Sequence, residues 1–229
     1  MAISGQKTSE VNIMSTACAE IENMFQVITP HGVAVLEGPV SGDYLGTLTF
    51  DEKLNNFRQP EKQKAALKEI ADLAEGMVYI VRVGSKVVGY VTFLPPDRHS
   101  RWSKHPRVLE LGAIEVSPDW REYKLARKLL ELAFSNPVME DYIVITIEFC
   151  WHWDLRNTGL DVWQYQKMLA KLFGSVGMQK ELTDDPDILE HIANVLMVRY
   201  GKRVPQKDIE LFKEMLFMRQ GVFFREQCK

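Results

Sequence analysis

The sequence is short of cysteine, of long apolar runs and of any surplus of charge, and each shortage argues against a class of protein. Its three cysteines, Cys18, Cys150 and Cys228, are an odd number without C-x-x-C spacing in 229 residues, which argues against a disulfide framework or a structural zinc site. No apolar stretch approaches the roughly 18 residues that span a bilayer. The first residues lack a basic start, an apolar stretch and a small-residue cleavage site, so a cytoplasmic protein that meets no membrane is expected. With 28 Lys and Arg against 31 Asp and Glu, the net charge of -3 gives no general pull toward nucleic acid. His99, His105, His152 and His191 lack the spacing with cysteine or carboxylate that defines coordination, so no metal is expected.

What is present is an alternation of strand and helix patterns. Val33 to Leu36 reads as a short strand, and Pro60 starts a helix with Ala66, Leu67, Ile70 and Leu73 at helical spacing. Met77 to Val83 and Lys86 to Leu94 flank Gly84-Ser85, which predicts an antiparallel hairpin. Residues 97–107 read as a solvated surface loop. Val108 to Val116 is a strand, followed by a helix from about Glu122 to Phe134 with Leu125, Leu129, Leu130 and Ala133 on its apolar face. Tyr142 to Phe149 is a further strand, Gly159 to Phe173 a helix, Met178 to Leu182 and Val195 to Tyr200 two last strands, and Pro205 to Met218 a final helix. The pattern implies an α/β fold with a mixed sheet and helices on both faces.

The stretch from Val116 to Leu130 is a strand, a tight proline-containing turn and the first turn of a helix. Free backbone amides and the positive end of the helix dipole make such a turn an anion site. Arg121, Lys124, Arg127 and Lys128 crowd cations where the dipole disfavours them, and a bound anion would relieve that conflict.

Here the chain resembles the GNAT superfamily of N-acetyltransferases, whose Val-x-Pro-x-x-Arg-Gly-x-Gly-x-Gly/Ala signature wraps the coenzyme A pyrophosphate. Val116, Pro118, Arg121 and Ala126 match, whereas Glu122 and Lys124 stand where glycine is usual. Within that superfamily, LEGPVS at 36–41, VGYVT at 88–92, ELGAIEV at 110–116, WHWDL at 151–155 and TDDP at 183–186 are similar to the acetoin-utilisation acetyltransferases of bacilli. The resemblance implies a mostly antiparallel GNAT-type sheet over residues 31–203, preceded by an N-terminal arm at 1–30 and followed by a helical extension at 204–229. That extension is expected to pack on the domain or on a partner. The implied activity is transfer of the acetyl group of acetyl-CoA to a lysine of acetyl-CoA synthetase, which shuts that enzyme down. A homodimer or a stable complex with that substrate is compatible with it. A small-amine N-acetyltransferase and a non-catalytic CoA-sensing or partner-binding module are the alternatives.

By the same resemblance, Ile114, Val116, Arg121, Glu122, Tyr123, Lys124, Leu125, Ala126 and Arg127 would hold acetyl-CoA. Backbone amides near Ile114 to Val116 would stabilise the oxyanion. A lysine ammonium, with an ordinary pKa of about 10.4, must lose a proton before it attacks. Strand alternation puts Glu110 on one face and Glu115 on the other unless a bulge intervenes. Glu110 is favoured as the base, with Glu115 the alternative. The family's tyrosine acid falls at Phe173, leaving Tyr165 and His152 as substitutes, the latter oriented by Asp154 or else packed with a satisfied hydrogen bond.

Overall fold

A computed structural model describes residues 24–218. The N-terminal arm up to residue 23, Cys18, Cys228 and the Phe223-Phe224 end of the extension lie outside the described residues. In chain order the elements are β1 (Met24–Thr29), β2 (Gly32–Glu37), α1 (Gly42–Thr47), β3 (Thr49–Phe50), α2 (Pro60–Ala71), β4 (Met77–Val83), β5 (Lys86–Leu94) and β6 (Val108–Val116). They continue with α3 (Leu125–Ser135), β7 (Ile143–Glu148), α4 (Leu155–Thr158), α5 (Val162–Gly174), β8 (Gln179–Glu181), α6 (Pro186–Leu189), β9 (Val195–Tyr200) and α7 (Gln206–Leu216).

The strands form one sheet in the order β1-β2-β4-β5-β6-β7-β9-β8, with β3 paired to β5. Every pairing is antiparallel except β6 with β7 and β3 with β5. The hairpin of β4 and β5 folds as its sequence predicts. Met24–Thr29, read as the end of an arm, instead forms edge strand β1, paired with β2 from Met24 opposite Glu37 to Thr29 opposite Gly32.

Side-chain alternation sends one set of residues to each face. Val91, Leu111, Leu129, Leu130, Val144, Leu169 and Phe173 share a core under α3 and α5. Val78, Ile80, Val87 and Tyr90 pack under α1 and α2. Ile143, Ile145, Leu196 and Val198 pack with Phe212, Met215 and Leu216, so the apolar face of α7 is seated on the chain's own sheet. At about 1.5–3 kcal/mol for each fully buried leucine, the stripe Leu125, Leu129 and Leu130 pins α3 against β4, β5 and β6.

The segment expected to be a solvated loop differs from that reading. Residues 97–107 carry a 3-10 turn, Arg101–Lys104, whose Trp102 is fully buried against Phe212. His105 is buried too, its Nε2 2.8 Å from the Asp208 carbonyl. Arg101 donates to Asp184 and to the Met215 carbonyl, and Arg107 to Asp208. Polar residues concealed this role, because their partners lie more than eighty residues away in sequence.

What positions the site is a divergence of β6 from β7. Their parallel ladder covers only Val108–Glu110 against Ile143–Ile145. Beyond it β6 stays on β5 while β7 follows β9, so a wedge opens from Leu111 onward. At the apex the β5 register jumps from Thr92 opposite Ala113 to Phe93 opposite Leu111, making Gly112 the extra residue of a bulge. A Cβ on Gly112 would stand 2.6 Å from Leu94 Cδ2, so the absence of a side chain lets β5 and the bulge approach closely.

Candidate active site

The bulge changes which face each glutamate occupies. Glu110 pairs with Leu94 and Glu115 with Tyr90, and Leu94 and Tyr90, four residues apart on β5, point to the same side. Ile114 and Val116, flanking Glu115, both pack into the α3–α5 core. Both glutamates therefore lie on the α1–α2 face, and the expectation of opposite faces fails because Gly112 restores the phase.

Their environments nevertheless differ. Glu115 is buried, accepting from the Tyr90 hydroxyl at 2.7 Å and the Asn56 amide at 3.0 Å. Burial pushes its carboxyl up, and those two donors oppose the shift. Asn56 also donates through Nδ2 to the His152 carbonyl at 3.0 Å, so the loop at 51–59 bridges both arms of the wedge. Glu110 is half-buried, without a hydrogen-bond partner among the described residues, in a cleft of about 400 Å³ with Arg58, Asp97, Gly112 and Ala113. Burial, reinforced by the Asp97 carboxylate, pushes it up to about 7. A carboxyl poised there can exchange protons near neutral pH.

A second cleft, of about 300 Å³, opens on the α3–α5 side. Ile114, Val116, Arg121, Lys124, Ala126 and Arg127 line it together with Tyr165, Met168, Leu169 and Leu172 of α5. Of the residues expected to bind acetyl-CoA, Glu122 is exposed, Tyr123 packs against Trp120 and His31, and Leu125 is in the core. None of these three lines the cleft.

The turn before α3 is a 3-10 helix, Pro118–Tyr123, and α3 itself starts three residues later than the periodicity suggests. Between them Lys124 has φ 57° and ψ 27°, the only non-glycine residue with positive φ among the described residues. This is one of the two positions where the resembled family has glycine. The left-handed backbone is retained at a cost of roughly 1–2 kcal/mol for a residue with a Cβ, and an ammonium is gained at the mouth of the cleft.

The crowd of cations resolves into paired and free members. Arg121 donates through Nε to the Val116 carbonyl at 3.0 Å and through Nη2 to Asp154 at 2.6 Å. Arg127 makes an exposed pair with Glu131 one turn along α3. Lys124 and Lys128 are not in ion pairs among the described residues, so the uncompensated charge is smaller than the sequence suggests. Burial raises the Asp154 carboxyl, but Arg121 and Asn157 donors outweigh it and hold it below the usual range.

That pairing separates Asp154 from His152. The expected His152–Asp154 dyad is absent among the described residues, because the Asp154 carboxylate caps α4 and accepts from Arg121 and Asn157. Nor is His152 the packed, hydrogen-bonded alternative: its ring is exposed, edge-on to Phe57, Phe149 and Trp151. Phe57, Arg58, Trp151 and His152 rim an opening of about 370 Å³ that leads down to Gly112 and Ala113.

Of the two remaining residues near the apex, Tyr165 is a candidate from the sequence and Glu148 is not. Tyr165 is stacked on Trp153 at 5.4 Å and lines both the second cleft and a small cavity at the wedge apex. Burial pushes its phenol up, with the Asp154 backbone opposing. Glu148, at the end of β7, lines the same cavity. Its place in the apolar run Tyr142 to Phe149 was the available signal, since a carboxylate in such a run must find partners.

Among the described residues no helix is long and apolar enough to cross a membrane. The profile of the acetyltransferase (GNAT) family matches residues 47–135. The acetoin utilization protein AcuA of Bacillus licheniformis is 44% identical over 191 residues, spanning 82% of this chain and 91% of the relative. That of Bacillus subtilis is 43% identical over 197 residues, spanning 85% and 94%. The crystal structure of an acetoin utilization protein from Exiguobacterium sibiricum superposes with a TM-score of 0.85 at 42% identity, covering 88% of this chain and 96% of that one.

Proposed function

The chain belongs to the acetyltransferase (GNAT) family, in the group of the acetoin utilization proteins AcuA, and from that premise we propose that it moves the acetyl group of acetyl-CoA onto a lysine of a protein, with acetyl-CoA synthetase as the target. The observation that carries the protein-substrate reading is the aromatic-rimmed opening over Gly112. Trp151 is 51% exposed and Phe57 37% exposed at its edge. A lysine stem can lie along such rings while its nitrogen reaches the apex of the wedge.

In this reading the two clefts communicate through the small cavity at the wedge apex, which shares Ile114 with one and Gly112 with the other. Lys124, Arg127 and the amides before α3 hold the pyrophosphate, and Ile114 and Val116 border the pantetheine arm. From Leu111 onward β6 has no ladder partner on the β7 side, which leaves backbone donors available to a developing oxyanion. Glu110 takes a proton from the entering ammonium, as its elevated pKa and its position beside Gly112 and Ala113 support. Glu115 serves by holding the loop at 51–59 through Asn56, and His152 helps to form the mouth. Direct transfer between two bound substrates is favoured over an acetyl-enzyme.

The test is calorimetry with acetyl-CoA, followed by mass spectrometry of purified acetyl-CoA synthetase and of a small-amine panel after incubation. Acetylation of one synthetase lysine, well ahead of any amine, is expected. Preferential acetylation of amines would replace this reading with the small-substrate one, and cofactor binding without transfer would favour a sensing module.

A further inference from the structure

Glu148 and Glu110 stand on opposite faces of the sheet, near where β6 and β7 part. Along β7, Ile143, Ile145 and Ile147 pack toward α7 and Val144 toward α3 and α5, so Glu148 points to the second side. There it shares a cavity of about 60 Å³ with Ile114, Tyr165 and Leu169, three residues that also line the cofactor cleft. The same cavity reaches Gly112 and Ala113, which border the Glu110 cleft from the other side. We propose that Glu148 is the general acid of the reaction, a neutral carboxyl that gives its proton to the departing coenzyme A sulfur while Glu110 serves the amine.

The hydrogen bonds suit that role. Trp153 Nε1 donates to Glu148 Oε2 at 3.3 Å, and the Thr146 hydroxyl lies 3.0 Å from Oε1. A neutral carboxyl takes the indole N-H on its carbonyl oxygen and keeps its own proton on the other, where a hydroxyl can accept as readily as donate. Burial pushes the carboxyl up, and these two donors oppose the shift only in part. Among the residues lining the cavity the other titratable ones are Tyr165 and His152. The Tyr165 phenol is held above its ordinary value and is the weaker acid, and Phe173, at the family's tyrosine position, is fully buried in the core.

The step balances as follows. An ammonium that becomes an amide loses two protons, and the thiolate that leaves gains one. Glu110 passes the first proton to solvent, and the nitrogen lone pair then forms the bond to the thioester carbon. When the carbon–sulfur bond breaks, its electron pair stays on sulfur and takes the Glu148 proton. The second proton from nitrogen, delivered through solvent at the His152 mouth, restores Glu148.

This inference rests on the acetyl-transfer reading, so both are tested in one assay, thiol release from acetyl-CoA with acetyl-CoA synthetase as acceptor. Glu148→Gln keeps an acceptor for Trp153 but carries no ionisable proton. Its kcat is expected to fall about 10²–10⁴-fold with the KM for acetyl-CoA unchanged, and the decline of the wild-type rate at high pH should vanish. Trp153→Phe keeps the ring on Tyr165 and removes the donor that favours the anion, so that decline should move to higher pH. This second variant decides the matter if the first does not fold. An active wild type matched by Glu148→Gln, or an alkaline decline unmoved by Trp153→Phe, overturns this inference alone. A wild type that releases no thiol overturns the acetyl-transfer reading and this inference with it.

Discussion

Arg121 Nη2 stands 2.6 Å from Asp154 Oδ2, and this bond ties the turn before α3 to the segment after β7 beside the cleft proposed to hold acetyl-CoA. Asp154 is buried, so an asparagine there leaves the guanidinium with a weaker acceptor. Asp154→Asn should cost about 1.5–3 kcal/mol at neutral pH, the range for a hydrogen bond to a charged group. Because the Asp154 pKa is depressed in the fold, its contribution is present above the unfolded value near 4 and is lost as pH falls through the folded one. Urea denaturation across acidic pH should show a shallower loss of stability in the variant.

Lys124 holds a left-handed backbone that glycine adopts freely. Lys124→Gly relieves that strain but gives the unfolded chain more freedom, so a net gain of up to about 1 kcal/mol is expected. The same change removes an ammonium from the cleft and should raise the Kd for acetyl-CoA several-fold in calorimetry. A variant that is less stable and binds as tightly would refute the assignment of Lys124 to the anion.

Arg101 connects the turn after β5 to both Asp184 and the last turn of α7. Its side chain is 12% exposed and also pairs through Nε with the buried Asp185 at 3.2 Å, so removing it breaks a largely buried ion pair. Arg101→Ala should destabilise by about 3–5 kcal/mol, read by denaturant titration, while the folded fraction keeps wild-type affinity for acetyl-CoA.

Trp151 is stacked on Phe149 at 4.8 Å and half exposed. Trp151→Ala should change stability by about 0.5 kcal/mol or less, yet raise the KM for a protein acceptor several-fold and leave that for acetyl-CoA unaltered. Steady-state kinetics with each substrate varied in turn separate the two.

Much of this architecture is legible in the chain because local pattern and final environment agree. β4, β5 and β6 lie where alternation and the Gly84-Ser85 turn place them, and the apolar stripe of α3 is the one its spacing identifies. What escaped depends on distant partners. Trp102 and His105 looked like loop residues because the helix that buries them begins a hundred residues later. Glu110 and Glu115 seemed to oppose each other because a single extra residue at Gly112 reverses the phase and leaves no mark in composition. The pairing of Arg121 with Asp154, and with it the loss of a His152–Asp154 dyad, arises from how the segment after β7 turns. Glu148 stood within a strand whose end neighbours the wedge only once β6 and β7 have parted.

The most direct test of the account is the pH–rate profile of acetyl transfer to acetyl-CoA synthetase by the wild type and by Glu110→Gln. Glu110 is raised to about 7 in the fold, and a base works only when deprotonated. The wild-type kcat/KM should therefore climb with pH to a midpoint near 7. The same shift means that the native state holds its proton more tightly than the unfolded chain. Its contribution to stability is complete below about 4.5 and is lost as pH rises through about 7. Glu110→Gln should lower kcat by about 10²–10⁴-fold, abolish the limb near 7 and leave acetyl-CoA affinity intact. A variant with the wild-type rate and the same limb would contradict the assignment of the base and the place of the reaction beside Gly112.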